Sequence, residues 1–359
     1  MRQRKITYVG WVGHNNLGDE ALYEVNKHIF KPYQLVPDNT KHHSKITLFG
    51  GGTLLPDWTW EVISNRYNYA YGVGVRCPSF WGDYHPIRIK QMKRFNFRYI
   101  GVRGNNSKKL LSAWGINSTV IGDPCLLLEP THYERKEDSR IAINIGGSRG
   151  LIWGRNEEQV FIEMAKVCKL LREKGFHPVL IPFWEDDLPH IKMVSRVTNT
   201  EIFNDWVDVQ KTLDFIASCH VLIGEKLHST VFSAAAQIPF ISIEYRPKCR
   251  DFAETMGFED YNIRTDRLMA EKVIAMFNNL SDNYTEMEKQ LIQNVKKYRK
   301  KLRKFADCIL KDIETLPENK WAPSKIEKIK WFLNSYRRRY EYKISKLKTF
   351  TIVKDQKSV

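Results

Sequence analysis

The sequence predicts an α/β protein of two Rossmann-like, parallel-sheet domains facing each other across a cleft, with further helices at the C-terminal end. Three observations lead there. Short apolar runs of buried-strand type alternate with longer amphipathic stretches in both halves. Several of these runs end in glycine-rich turns that open a helix. After a polar link at residues 129–138 the rhythm restarts at 141–145. The expected division is 1–130 and 139–282 for the two domains, 283–320 for a helical return segment and 321–359 for a basic amphipathic tail.

The first strand, 6–10, runs into a loop containing Gly13, Asn15, Asn16 and Gly18, with Asp19 and Glu20 opening a helix. Acids in a first turn suit the helix dipole but repel phosphate, and Gly-x-Gly-x-x-Gly spacing is missing, so a dinucleotide site is not expected. Asn15, Asn16 and Asp19 offer hydrogen bonds to a sugar, or simply cap the helix and shape the turn. Strand 46–49 ends in Gly50, Gly51 and Gly52, which permit close backbone approach. An aromatic segment follows, in which Trp58 and Trp60 are candidates for stacking on a sugar face, with core packing as the alternative. Strand 99–102 delivers Arg103 at its carboxyl end, a fork of donors suited to carboxylate or phosphate, before a helix expected over 107–114.

In the second half, helix 157–174, strand 178–182 and helix 206–218 precede the most informative stretch, 220–257. An apolar run stops at Gly224, and Glu225, Lys226 and His228 arrive where a helix begins, with Ser229 or Thr230 as its cap. The free N–H groups of that cap, beside a cation and an imidazole, suit a phosphate ester. A second buried strand, 240–243, carries Glu244, Tyr245, Arg246 and Lys248 to the same crevice, because ligands of open α/β sheets bind at strand carboxyl ends. Arg149 and Arg155, near the glycine loop of 146–150, are further candidates for anion contact.

The net charge of +16 is concentrated late in the chain: residues 296–304 carry seven cations and no acid, and 321–359 carry eleven against Glu327, Glu341 and Asp355. The body is nearly neutral, so nucleic acid is not the expected partner of the cleft. The tail places apolar residues at three- and four-residue steps between lysines and arginines, which suits an anionic membrane surface, or else packing across the body. The six cysteines form no Cys-x-x-Cys pair, and neither a signal peptide nor a membrane span is read, so the expected location is cytoplasmic, with peripheral attachment to the inner face of the membrane through the tail.

Taken together, Asn16-Leu17-Gly18-Asp19-Glu20-Ala21-Leu22, Gly50-Gly51-Gly52-Thr53-Leu54, Val102-Arg103 with Ser107 and Leu110, Gly122-Asp123-Pro124, and Lys226-Leu227-His228 through Pro239 to Tyr245 and Lys248 resemble the polysaccharide pyruvyl transferase family. The resemblance covers most of residues 6–257. It implies a glycosyltransferase-B-like fold and transfer of a pyruvyl group from phosphoenolpyruvate to a sugar, usually as a cyclic ketal. Where many members have Arg-Leu-His, this chain has Lys226-Leu227-His228, a point charge in place of a bidentate fork. On this reading Lys226, Leu227, Ser229, Arg103, Arg246 and Lys248 bind the donor. His228 is the acid or base, and Asp19 orients or deprotonates the acceptor. Asn15, Asn16, Gly51, Gly52 and Trp58 meet the acceptor sugar, which is lipid-linked, polymeric or nucleotide-linked. Phosphoenolpyruvate is a co-substrate, and no metal or other cofactor is called for. The alternatives are a glycosyltransferase of the same architecture using a nucleotide sugar, and a non-catalytic glycan binder.

Overall fold

The computed structural model describes residues 4–38, 44–56, 67–84, 86–131 and 139–317. Trp58, Trp60 and the tail at 321–359 lie outside the described residues. The first half runs β1 (Lys5–Val9), α1 (Leu17–Ile29), β2 (Gln34–Pro37), β3 (Ile46–Phe49), β4 (Thr53–Leu55), β5 (Tyr67–Val75), α2 (Pro78–Trp81), α3 (Pro86–Arg94), β6 (Phe97–Val102), α4 (Asn105–Ala113) and β7 (Thr119–Val120). Its strands line up as β2-β1-β3-β5-β6-β7, with β4 beside β5, and every pairing is parallel.

The second half runs β8 (Arg140–Asn144), α5 (Glu157–Glu173), β9 (His177–Leu180), α6 (Leu188–Thr198), β10 (Glu201–Ile202), α7 (Val209–Ala217), β11 (Val221–Gly224), α8 (Leu227–Ala235), β12 (Phe240–Glu244), α9 (Pro247–Met256), β13 (Asn262–Arg264), α10 (Ala270–Asp282) and α11 (Tyr284–Glu314). The order β10-β9-β8-β11-β12-β13 is the doubly wound arrangement, whose direction reverses between β8 and β11. The loops after those two strands therefore open a crevice. Covered on both faces, the central strands are apolar throughout: Val221, Leu222 and Ile223 are fully buried, as are Phe240, Ile241 and Ile243. The fold expected from the sequence is the fold observed.

Three element boundaries differ from expectation. The aromatic segment holds the nine-residue strand β5, in which Tyr69 and Tyr71 are core. Helix α4 starts at Asn105, with Gly104 as its N-cap and no capping side chain of its own. Asp251 of α9 does the capping from the other half, accepting the Asn106 N–H at 2.9 Å. The sequence pattern predicts the last helix over 283–304, and it reaches Glu314, ten residues farther, because Ala306, Ile309 and Ile313 continue the stripe formed by Leu291, Val295, Tyr298 and Leu302.

Helix α11 ties the two halves together. The Arg299 guanidinium donates to the carbonyls of Leu126 and Leu128 at 2.6 Å and of Ala235 at 3.0 Å. Farther along, Asp312 accepts from Tyr69 at 2.5 Å and from the Arg98 guanidinium, at 2.6 Å for Nη2. The Arg98 hydrogen bonds hold the Asp312 carboxyl below its ordinary range. A carboxylate lowered on folding stabilises fully above its unfolded value of about 4 and loses that contribution as the pH falls through the lowered one. Asp312→Asn is therefore expected to lower the melting temperature at neutral pH, with the gap to wild type closing in acid. A gap that is constant across melts from pH 7 to pH 3 would contradict this account.

Candidate active site

The cavity between the halves has a volume of about 370 Å³ and is walled by the ends of β1, β4, β5, β6, β11 and β12 with the loops that follow them. Two helix N-termini meet there. In α1, Asn16 caps the first turn by accepting the Asp19 N–H at 3.3 Å, so capping is its observed role, although it also lines the cavity. In α8 the N-cap is Lys226, and no side chain caps it. The His228 ring lies directly against Gly18, where an added methyl would overlap its Nδ1 and Cγ. A residue with no side chain is required there to let α1 and α8 meet.

Cations gather on this junction. Arg103 is 2% exposed, its Nη1 3.4 Å from Asp123 Oδ2, and its Nε has no partner. The Tyr245 ring has three ammonium or guanidinium groups about it: Lys226 at 5.4 Å, Arg246 at 4.8 Å and Lys248 at 4.9 Å. The Lys226 ammonium is already held, donating to Gly147 O at 2.6 Å and Ser148 Oγ at 3.2 Å, with Asp187 Oδ1 at 3.4 Å. Arg246 donates through Nε to Leu151 O at 2.8 Å, which leaves its terminal nitrogens over Trp81 and Tyr245. Arg76, just past β5, adds a further guanidinium.

Burial shifts the titration of the reactive groups. It pushes His228 down to about 4, helped by Arg103 and Lys248 against the opposing pull of Asp123, so the imidazole is neutral at pH 7. His228 Nε2 makes no hydrogen bond and sits 3.9 Å from Asp123 Oδ2. Asp19 is pushed up to about 7 by burial, with Lys248 opposing and Glu20 and Asp123 adding to the rise. Lys248 is pushed down to about 7, by burial first and then by Arg246. A base and an acid are thus available side by side near neutrality. Asp123, Cys125 and His228 bring one ligand atom each within 4.8 Å of one another. The Cys125 thiol is raised well above its usual value by burial, and Arg103 already neutralises Asp123, so this trio suits holding the imidazole better than holding a cation.

Of the residues singled out in the sequence, Asn16, Asp19, Gly52, Arg103, Lys226, Leu227, His228, Tyr245, Arg246 and Lys248 line the cavity. Several other described ones do not. Ser229 is no cap: it lies inside α8, with its N–H and Oγ both donating to Lys226 O at 3.0 and 2.6 Å, and Thr230 likewise donates to Leu227 O. The helix begins three residues earlier than a Ser229 cap would place it, so the N–H groups that open it are those of Leu227 and His228. Asn15, at φ 51°, turns away and donates to Glu185 at 3.3 Å. Gly51 packs on Leu22. Glu244 is buried and accepts from Trp153, Arg250 and Asn262, which makes it a brace behind the site. Arg149 pairs with Asp186 at 2.6 Å, and Arg155 is exposed. Residues not foreseen include Arg76, Asp123, Trp11, Trp81 and Trp184. The rule that ligands sit at strand carboxyl ends would have found Arg76 and Trp184, had β5 been separated from its aromatic surroundings.

A parallel-stranded sheet in each half, with a cationic cleft at the strand ends between them, defines a glycosyltransferase-B-like protein. Solved structures share that architecture: the UDP-GlcNAc 2-epimerase of Neisseria meningitidis bound to UDP-GlcNAc (10% identity, TM-score 0.53, 88% of this chain and 100% of that one) and a UDP-glucosyltransferase of Polygonum tinctorium (9%, 0.56, 88% and 99%). At such identity the likeness is one of fold. The model of the polysaccharide pyruvyl transferase family matches residues 15–247, more than half of the chain, and the chain belongs to that family of transferases of polysaccharide biosynthesis. Among curated relatives, the amylovoran biosynthesis protein AmsJ of Erwinia amylovora is 25% identical over 171 residues, 45% of this chain and 41% of that protein. The match therefore spans less than half of the relative's length.

A histidine lowered on folding makes the fold less stable as the pH drops from 6.5 towards 4, since the unfolded chain takes up a proton that the folded one refuses. The C2 proton of His228, followed by NMR, is expected to titrate near 4, and Gly18→Ala, by displacing the ring, to return it towards 6.5. Titration of the wild-type ring at its ordinary value would overturn this reading of the site.

Proposed function

We propose that the chain transfers a pyruvyl group from phosphoenolpyruvate to a sugar of a surface polysaccharide or its precursor, with release of phosphate. One observation carries the reading beyond the family. Arg76, Arg103, Lys226, Arg246 and Lys248 line one cavity around an uncapped helix N-terminus, with Asp19 as the only carboxylate in its wall among the described residues. Phosphoenolpyruvate, with a phosphate and a carboxylate on three carbons, is a ligand of that charge and size. The unpartnered Arg103 Nε, the terminal nitrogens of Arg246, the Lys248 ammonium and the N–H groups of Leu227 and His228 are its donors. Lys226, held by Gly147 and Asp187, contributes field more than contact.

The chemistry then follows from the protonation states. Asp19, near half-protonated at neutral pH, gives its proton to C3 and turns the methylene into a methyl group, while a sugar hydroxyl attacks C2 and loses its proton to neutral His228. A second hydroxyl then displaces phosphate from C2, closing the ketal and releasing its proton to the site. Arginines and Lys248 stabilise the departing phosphate. The acceptor sugar stacks on Trp11, Trp81 or Trp184 of the cavity wall.

Phosphoenolpyruvate is expected to raise the melting temperature, and Arg103→Lys to abolish the rise. His228→Ala and Asp19→Asn should keep the rise yet lower phosphate release by about a hundredfold or more. A rise with nucleoside diphosphates alone would favour a nucleotide-sugar glycosyltransferase, and full phosphate release by His228→Ala would remove the catalytic assignment.

A further inference from the structure

The outer face of α11 is a stripe of positive charge that few acids among the described residues meet. Lys289, Lys296, Lys300, Lys304 and Lys311 follow at seven- and four-residue steps opposite the buried stripe, flanked by Lys297, Lys301 and Arg303, and all eight are exposed. From Lys289 to Lys304 there is no acid. At 1.5 Å per residue the stripe is about 33 Å long. Lysines four apart repel one another, where glutamate at the same spacing would have stabilised the helix. Lys301 feels the crowding: burial, then Lys297, then Lys108 of α4, lower its pKa. Among the described residues only Glu129 pairs with this side of the helix, at 3.4 Å from Arg299 and 3.6 Å from Arg303. Beside the stripe, Lys296, Arg299, Lys300, Arg303 and Lys304 outnumber the carboxylates of Glu129 and Asp307 in a groove of about 600 Å³ that also contains Ile292, 36% exposed.

We infer that this face docks on an anionic lipid surface, with the groove receiving headgroups. A flat leaflet matches a straight helix face on which cations outnumber the one acid, Asp307, and an apolar side chain among the lysines suits the acyl boundary. Single-stranded nucleic acid would call for aromatic platforms, and none is in the groove. No residue of α11 lines the catalytic cavity, which makes docking separable from donor binding.

The test is sedimentation of the full chain with phosphatidylcholine vesicles containing about a third phosphatidylglycerol. The variant Lys296→Glu, Lys300→Glu, Lys304→Glu is compared with a control of equal charge change on exposed sites of α5 and its end and of α6, Lys169→Glu, Lys174→Glu, Lys192→Glu. The α11 variant is expected to lose about tenfold or more of its vesicle partitioning while keeping the melting temperature of the parent, and the control to lose much less. Equal losses in both variants, no loss in the α11 variant, or complete loss on deleting residues 321–359 alone would overturn the assignment. So would tighter binding of the parent to a DNA duplex than to vesicles at the same salt.

Discussion

Two helix N-termini from different halves of the chain meet at the Gly18–His228 contact, and the rest of the site is arranged around that meeting. Each terminus brings partial positive charge, and Arg103, Lys226, Arg246 and Lys248 add to it around one cavity. Like charges so placed raise the energy of the empty protein. The structure answers with Asp19 in front, Asp123 and Asp187 behind, and the face of Tyr245, to which three of the cations are held. What remains unbalanced is the attraction for an anion.

The same burial that makes the cations costly sets the roles of the acid and the base. Histidine is kept neutral well below pH 7 and aspartate is driven towards protonation, in both cases by burial first. The halves must therefore be held in register, because an opening of the cleft would readmit water and undo both shifts. Arg299 on the carbonyls of two segments, Asp312 on Arg98 and Tyr69, and Asp251 capping α4 from across the interface all resist such opening.

Much of this was legible in the chain. Alternating apolar runs and glycine turns specify a parallel sheet whichever residues surround it, and the strand-end rule then locates Arg103, Lys226, His228 and Lys248 without coordinates. Failures came where one residue type serves two structural ends. Serine and threonine cap helices, but Ser229 and Thr230 sit one turn further in and donate back to the backbone. Glu244 stands at a strand end like its neighbours Arg246 and Lys248. Its side chain faces inward, to Trp153, Arg250 and Asn262, and only packing against those partners distinguishes the two directions.

By itself the sequence determined the fold class, the order of elements, the family and most of the cationic wall, since these depend on local pattern and on motifs of short span. The tertiary structure alone decided that Lys226 is held by Gly147 and Asp187, that Asp123 stands behind His228, and that Arg76 and three tryptophans complete the cavity. It alone decided the protonation of His228 and Asp19 as well. Desolvation and the summed field of charges depend on distances between residues far apart in the chain, and those exist only once the two halves have closed on one another.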